Sequence, residues 1–203
     1  MRSLSALFPF SIRSLIRRLR HGEEGSVLME VALTLPLLFI IFGGCFEISR
    51  YALLEMKVSR AATTMADIVA QNNTSVTTSQ INGFIQAIPH IGAPFEMDDA
   101  NTQVIITAVK ANQYKISKVC WQVSVMGDLG GTSTVGTHNH TAMLPDDIEL
   151  GNGDTAIIAE VFYDYHPTLF SGFVDARTLY NVAVYRPRLA TLEILMPSGT
   201  TCS

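Results

Sequence analysis

Between Ser26 and Phe46 the chain carries a single charged side chain, Glu30, which stands five residues after Gly25. A carboxylate inside a membrane-length apolar run costs roughly 2.5–3.5 kcal/mol when it lies at the bilayer centre, so it calls for a partner or a function. The plain alternative is an acid that snorkels to the inner interface and does nothing.

A second group of chemistry-bearing residues is His138-Asn139-His140, followed by Asp146, Asp147 and Glu149. Two histidines with carboxylates raise the question of a metal. A zinc site usually needs three or four fixed ligands, whereas these residues lie on a Gly-rich stretch, so a solvated loop is the preferred reading. Asp146-Asp147 and Asn152 to Asp154 lack the EF-hand spacing for calcium. The Gly127–Gly136 stretch has no following Gly-Lys-Ser/Thr and so is no phosphate loop. With no Gly-x-Ser-x-Gly elbow either, the sequence points away from an enzyme, and neither a cofactor nor a metal is expected.

The elements that position these groups begin with a charge asymmetry. Arg2, Arg13, Arg17, Arg18 and Arg20 precede the apolar run, while the distal chain is acidic within a net charge of −4 over 203 residues. The positive-inside bias places the N-terminus in the cytoplasm and the region beyond Phe46 outside it. An acidic distal region also disfavours a nucleic-acid partner, because it repels phosphate. One stretch is long and apolar enough to span a bilayer, so a single pass is expected.

From Val27 to about Gln71 the pattern predicts one long helix. Its first half is apolar all round; its second is amphipathic, with Tyr51, Leu54, Val58, Ala61, Met65 and Ile68 in a stripe that Arg50, Lys57, Arg60 and Asp67 avoid. At about 1.5 Å per residue it would reach roughly 65–70 Å, more than twice the hydrocarbon thickness of about 30 Å, so half must pack outside the bilayer. Pro36 removes a backbone donor and crowds Ala32, which predicts a kink.

A polar link to Ser79 follows, then a short helix over Gln80–Ile88 stopped by Pro89. Gln103–Val109, Ile116–Val125, Thr155–Tyr165 and Thr178–Tyr185 are rich in β-branched and aromatic residues and read as strands, with Leu189–Leu195 as a fifth. Trp121, Phe162, Tyr163, Tyr165 and Tyr185 read as core or cross-strand residues. The long loop from Gly127 to Asp154 is of a length that is usually functional, mobile or structured by a partner. The expected fold is α+β: a long N-terminal helix, membrane-spanning then amphipathic, packed on a mostly antiparallel sheet. The expected division is a basic leader over residues 1–25, a transmembrane helix over 26–47, a helix extension over 48–72 and an exported globular domain over 73–203.

Cys45 lies in the apolar run, so Cys120 and Cys202 are the two that could meet in the exported part. An oxidising compartment would permit a bond, and two unpaired thiols are the alternative. Phe42-Gly43-Gly44-Cys45 raises lipoprotein processing, but Phe42 is a poor fit and the apolar run is long with an acid inside it. Gly43 and Gly44 are more simply close-packing positions between helices.

The stretch Gly25-Ser26-Val27-Leu28-Met29-Glu30, with arginines before it and an apolar run after it, resembles the N-terminal signature of type IV pilins and pseudopilins. The likeness is greatest to TadE-like pseudopilins of the tight-adherence (Flp pilus) system. Glu30-Val31-Ala32-Leu33-Thr34-Leu35-Pro36 and Arg50 with Ala61-Ala62 extend it, and Arg186-Pro187-Arg188 resembles a C-terminal element of some members. The resemblance implies cutting between Gly25 and Ser26 by a membrane-embedded aspartic prepilin peptidase on the cytoplasmic side. Gly25, without a side chain, lets an extended backbone enter the peptidase cleft. Cutting would free the amine of Ser26, and that cation, on a neighbouring subunit or the same chain, would pair with Glu30 as an assembly register.

The same resemblance implies an inner-membrane protein with a periplasmic domain, incorporated in or priming a pilus that serves adhesion or secretion. Its implied partners are the peptidase, other pilins or pseudopilins, the inner-membrane assembly platform and membrane lipid. The competing class is an uncleaved, membrane-anchored periplasmic scaffold or binding protein.

Overall fold

In the computed structural model, the described residues are 23–72, 75–145, 148–168, 172–188 and 194–196. Arg2, Arg13, Arg17, Arg18 and Arg20, with Asp146, Asp147 and Cys202, lie outside them. The chain divides into two compact units, Met1–Phe46 and Glu47–Ser203.

Helix α1 runs over Glu23–Ala70 and contains Pro36. It starts four residues earlier than the apolar pattern predicts, so Gly25 and Ser26 are helical. Two acids at its first positions favour the helix N-terminus through the backbone dipole, which apolar periodicity does not report. In the second unit, α1 buries Leu54, Val58, Ala61, Ala62, Met65, Ala66, Val69 and Ala70. The predicted stripe is buried from Leu54 to Met65, but Tyr51 and Ile68 at its ends are only half-buried, and Val69 takes the core position beside Ile68. A strict seven-residue step drifts about 20° per heptad on a straight α-helix, and that drift carries Ile68 to the edge of the face. The four alanines let the helix backbone approach the sheet closely.

After α1 come β1 (Ser75–Thr77), α2 (Thr78–Ile85) and α3 (Ile88–Gly92). Thr77 caps α2 in a capping box: its hydroxyl accepts from the Gln80 N–H at 3.1 Å, and the Gln80 side chain accepts from the Thr77 N–H at 2.9 Å. The single predicted helix ending at Pro89 is therefore two. Pro89 sits at the start of α3, where its missing donor is no loss, rather than ending α2. Ile81, Ile85 and Ile88 still share the core as the spacing predicts.

The main sheet has the order β3-β2-β4-β5, all antiparallel, from β2 (Thr102–Ala111), β3 (Ser117–Met126), β4 (Thr155–Tyr165) and β5 (Arg177–Tyr185). The predicted fifth strand does not join it. Its described part, β6 (Ile194–Met196), pairs in parallel with β1 instead. A short run of apolar residues identifies a strand but not its partner.

The central strands β2 and β4 are buried on both faces. One face carries Val104, Ile106, Ala108, Ile157, Ala159, Val161 and Trp121 against α1. On the other, Val109, Ala111, Val119, Ala156 and Ile158 pack under Val135, Ala142 and Leu150 of the 127–154 loop. That loop is thus held by its own chain rather than left to a partner. It supplies the apolar cover that lets two antiparallel strands read as nearly continuous hydrophobic runs.

Candidate functional site

In the first unit, α1 presents apolar side chains on every side. Twelve large ones from Val27 to Phe42 are between 47% and 80% exposed, Leu33 the most. Burial of such side chains is worth roughly 1.5–3 kcal/mol each, so leaving them in water would cost on the order of 20 kcal/mol. Among the described residues this is one helix long and apolar enough to cross a membrane. The 21 residues Ser26–Phe46 would span about 31 Å at 1.5 Å each, matching a hydrocarbon core of about 30 Å.

Glu30 is exposed on this helix, near its start. One turn on, the Thr34 hydroxyl donates to the backbone carbonyl of Glu30 at 2.9 Å. Thr34 thereby satisfies its own hydroxyl inside an apolar segment. No described residue offers a cation within ion-pair distance of Glu30. Gly25 and Ser26 lie in the first turns of α1, so any enzyme that reads extended backbone there would have to unwind them. Glycine makes that easier, by roughly 0.8–1 kcal/mol relative to alanine.

The second unit contains a charged residue that the sequence reading missed. Glu47, the first residue after the apolar run, is fully buried. Its carboxylate accepts from the Tyr165 hydroxyl at 2.5 Å and from the Thr168 N–H at 3.0 Å. The edge of the Tyr165 ring meets Tyr51, with centroids 5.3 Å apart, and the Arg177 guanidinium lies 4.5 Å over the Tyr51 ring. Burial, then the hydrogen bond and charge of Glu47, push the Tyr165 hydroxyl up to about 12. A signal was present in the sequence: Glu47 extends the stripe Tyr51, Leu54, Val58 and Ala61 backwards by one step of four.

A second buried acid holds the long loop. Glu160 on β4 accepts from the Ser133 hydroxyl, the Thr134 N–H at 2.9 Å, the Thr134 hydroxyl at 2.8 Å and the Tyr180 hydroxyl at 2.9 Å. Gln103 on β2 joins it, accepting from the Leu129 and Gly131 N–H groups and donating to the Gly131 carbonyl. Gly131 is required for this approach, because a Cβ there would stand 2.9 Å from the Gln103 oxygen and 3.2 Å from the Phe162 ring. Burial is the main cause that pushes Tyr180 up to about 12; the Thr134 hydrogen bond opposes it, and Glu160 adds to it. These groups are structural fasteners, each satisfied by the loop it holds.

The two-histidine segment lies in the same loop. His138 and His140 are exposed, and the His140 Nδ1 is 3.1 Å from both the Thr137 hydroxyl and the His138 carbonyl. The neighbouring backbone pairs with β3: the Val119 N–H donates to His140 at 3.0 Å and the Ala142 N–H to Ser117 at 2.8 Å. That pairing covers part of an otherwise open sheet edge. Glu149 is 3.8 Å from Lys115.

At the other end of the chain, Arg188 donates to Asp67 of α1 at 2.9 Å, and its N–H bonds the Ala70 carbonyl at 3.2 Å, so it closes the C-terminus of the helix. Arg186 pairs with Asp154 at 3.3 Å. Cys120 is fully buried on β3 and is a half-cystine; Cys45 is exposed on α1.

An α1 helix whose first part is exposed and membrane-length, and whose second part is the core helix of an α+β domain, defines a class of protein with one apolar anchor and one folded domain built on the same helix. Within that class, residues 25–67 match the family of TadE-like proteins. The match begins at Gly25, takes in Glu30, Pro36 and Glu47, and ends at Asp67, the partner of Arg188. Neither the search of curated proteins nor that of solved structures found a match.

Proposed function

We propose that this protein is a TadE-like pseudopilin of a tight-adherence (Flp-type) pilus apparatus, made as a precursor and cut between Gly25 and Ser26 by a prepilin peptidase. The observation that carries the reading is the coincidence of the family match over residues 25–67 with an α1 surface that is apolar and exposed from Val27 to Phe42. Exposed Ile48, Leu53 and Met56 continue apolar surface past the predicted span, as a helix that packs against other pilin helices requires.

On this reading residues 1–25 are the cytoplasmic leader, the span expected over 26–47 ends at Phe46 because Glu47 is buried in the second unit, the helix extends to residue 72, and 73–203 complete the periplasmic domain. Glu30 is expensive in lipid until the new Ser26 amine, on its own or a neighbouring chain, provides a cation. The carboxylate then sets the register between subunits. The partners are the peptidase, other pilins or pseudopilins, the assembly platform and lipid. The protein acts by assembly rather than by catalysis, and Cys120 pairs with Cys202 in the oxidising periplasm. In the rival reading, an uncut periplasmic scaffold, Glu30 has no partner to gain.

The test is Glu30→Leu. Insertion and cleavage should persist while co-purification with other pilins drops, because an apolar side chain of similar size inserts at least as well. Unchanged co-assembly would remove the charge-register role.

A further inference from the structure

The two edges of the main sheet differ. Along β3 the backbone of residues 139–142 covers part of the outer row: the Val119 N–H donates to His140 at 3.0 Å, the Ala142 N–H donates to Ser117 at 2.8 Å, and Thr141 bridges to Lys118. The β2–β3 ladder is also interrupted by two register shifts. At the opposite edge, β5 pairs with β4 over nine residues, Arg177 to Tyr185, in unbroken register. Among the described residues, nothing bonds the row of N–H and C=O groups on the outer side of β5. Nor does β5 carry the devices that blunt such an edge: it has no proline, no bulge and no charge between Thr178 and Tyr185.

The side chains of β5 alternate between two surroundings. Leu179 and Ala183 are buried in the core with α1, while Val182 and Val184 pack on the cluster beneath the 127–154 loop, and Tyr180 on their face is 38% exposed. Arg177 opens the strand. Its guanidinium lies 4.5 Å over the Tyr51 ring and is exposed, and no described carboxylate stands within ion-pair distance of it.

We propose that the outer edge of β5 receives one extended segment of another protein, which joins the sheet as a fifth antiparallel strand with a carboxylate opposite Arg177. Main-chain hydrogen bonds give such a segment its affinity, and its alternate side chains give specificity. Antiparallel pairing continues a sheet that is antiparallel throughout and is slightly stronger per residue than parallel pairing. In that direction the acid falls at the C-terminal end of the segment. β-Branched residues beside Tyr180, Val182 and Val184 gain cross-strand contact, so an alternating Val/Thr segment ending in an acid matches the edge. A second copy of this chain does not supply the acid: Arg177 to Arg188 contains none, so β5 laid antiparallel on β5 brings no carboxylate to Arg177. The edge lies wholly within the second unit, and its role is independent of cleavage after Gly25.

The test is titration of the detergent-solubilised full chain against the peptide Val-Thr-Val-Thr-Val-Thr-Val-Asp, labelled with fluorescein at its N-terminus and amidated at its C-terminus, followed by anisotropy. It should bind about three- to fivefold tighter than the same peptide ending in Asn, the range of an exposed ion pair. Arg177→Lys should keep that preference, and Arg177→Glu should reverse it in favour of a peptide ending in Lys. Equal affinities for the three peptides would overturn the charge match, and tighter binding of a peptide with its Asp at the N-terminal end would overturn the antiparallel direction. Hydrogen exchange should slow at alternate amides between Thr178 and Tyr185 when the Asp-ended peptide is bound. No binding at millimolar peptide, or binding that leaves those amides unprotected, overturns the edge as a docking site. Protection of the same amides that rises with chain concentration in the absence of peptide would seat a second copy there and overturn the assignment to another protein.

Discussion

Tyr165 donates its phenolic hydrogen to Glu47 at 2.5 Å, joining the last residue of β4 to a helix residue 118 positions earlier. The bond fixes the rotation of α1 on the sheet at the point where the helix leaves the apolar run. Loss of the tyrosine hydroxyl leaves a buried carboxylate with one fewer donor. Tyr165→Phe should therefore destabilise the fold by about 1.5–3 kcal/mol, the range for hydrogen bonds to charged groups. Glu47→Gln, which keeps an acceptor, should cost less. Chemical unfolding of the detergent-solubilised chain measures both, and an unchanged midpoint for Tyr165→Phe would show that the bond is of no consequence.

The same tyrosines set an alkaline limit. Tyr165 and Tyr180 are each raised from 10.0 to about 12, burial being the first cause in both. A group that binds its proton more tightly folded than unfolded stabilises the fold fully below its unfolded value, and the contribution is lost as pH rises through the folded one. Stability should be level up to about pH 10 on account of these groups and should fall between about 10 and 12. Ultraviolet titration of the phenols against unfolding monitored by circular dichroism checks this; ionisation of both near pH 10 with the fold intact would contradict it.

Glu160 predicts a local effect. Glu160→Ala removes the acceptor of Ser133, Thr134 and Tyr180 together and should cost about 2–3 kcal/mol, with the loss concentrated in the loop. Hydrogen exchange should accelerate at residues 129–136 before it does so in β2. Uniform acceleration across the sheet would argue that the loop and the sheet open as one.

Arg188 and Asp67 predict a small effect. Both side chains are partly exposed, at 64% and 31%, and such pairs contribute about 0–1 kcal/mol. Arg188→Ala should shift the unfolding midpoint little, since the backbone N–H still reaches Ala70. A large loss would mean that the arginine does more than close the helix end.

Much of this architecture is legible in the residues because its signals are local. The apolar run, the stripe from Leu54 to Met65 and the β-branched strands announce themselves through period and composition. Pairing is not local: nothing in Ile194–Met196 distinguishes parallel addition to Ser75–Thr77 from addition to the main sheet. Buried polar groups are hidden for a related reason. Glu47 and Glu160 look like ordinary surface acids until the fold brings Tyr165 and the Thr134 loop onto them, although the stripe position of Glu47 was readable. The long loop reads in the sequence as functional, mobile or structured by a partner because its few apolar residues, Val135, Ala142 and Leu150, are widely spaced and meet only on the sheet.

Cleavage after Gly25 is what would turn Glu30 from an isolated acid in an apolar helix into half of an intersubunit pair. N-terminal sequencing of the membrane-bound form, isolated from cells that hold the prepilin peptidase, tests this most directly. Ser26 is the predicted first residue, and a membrane form that keeps the leader intact would contradict the pseudopilin reading.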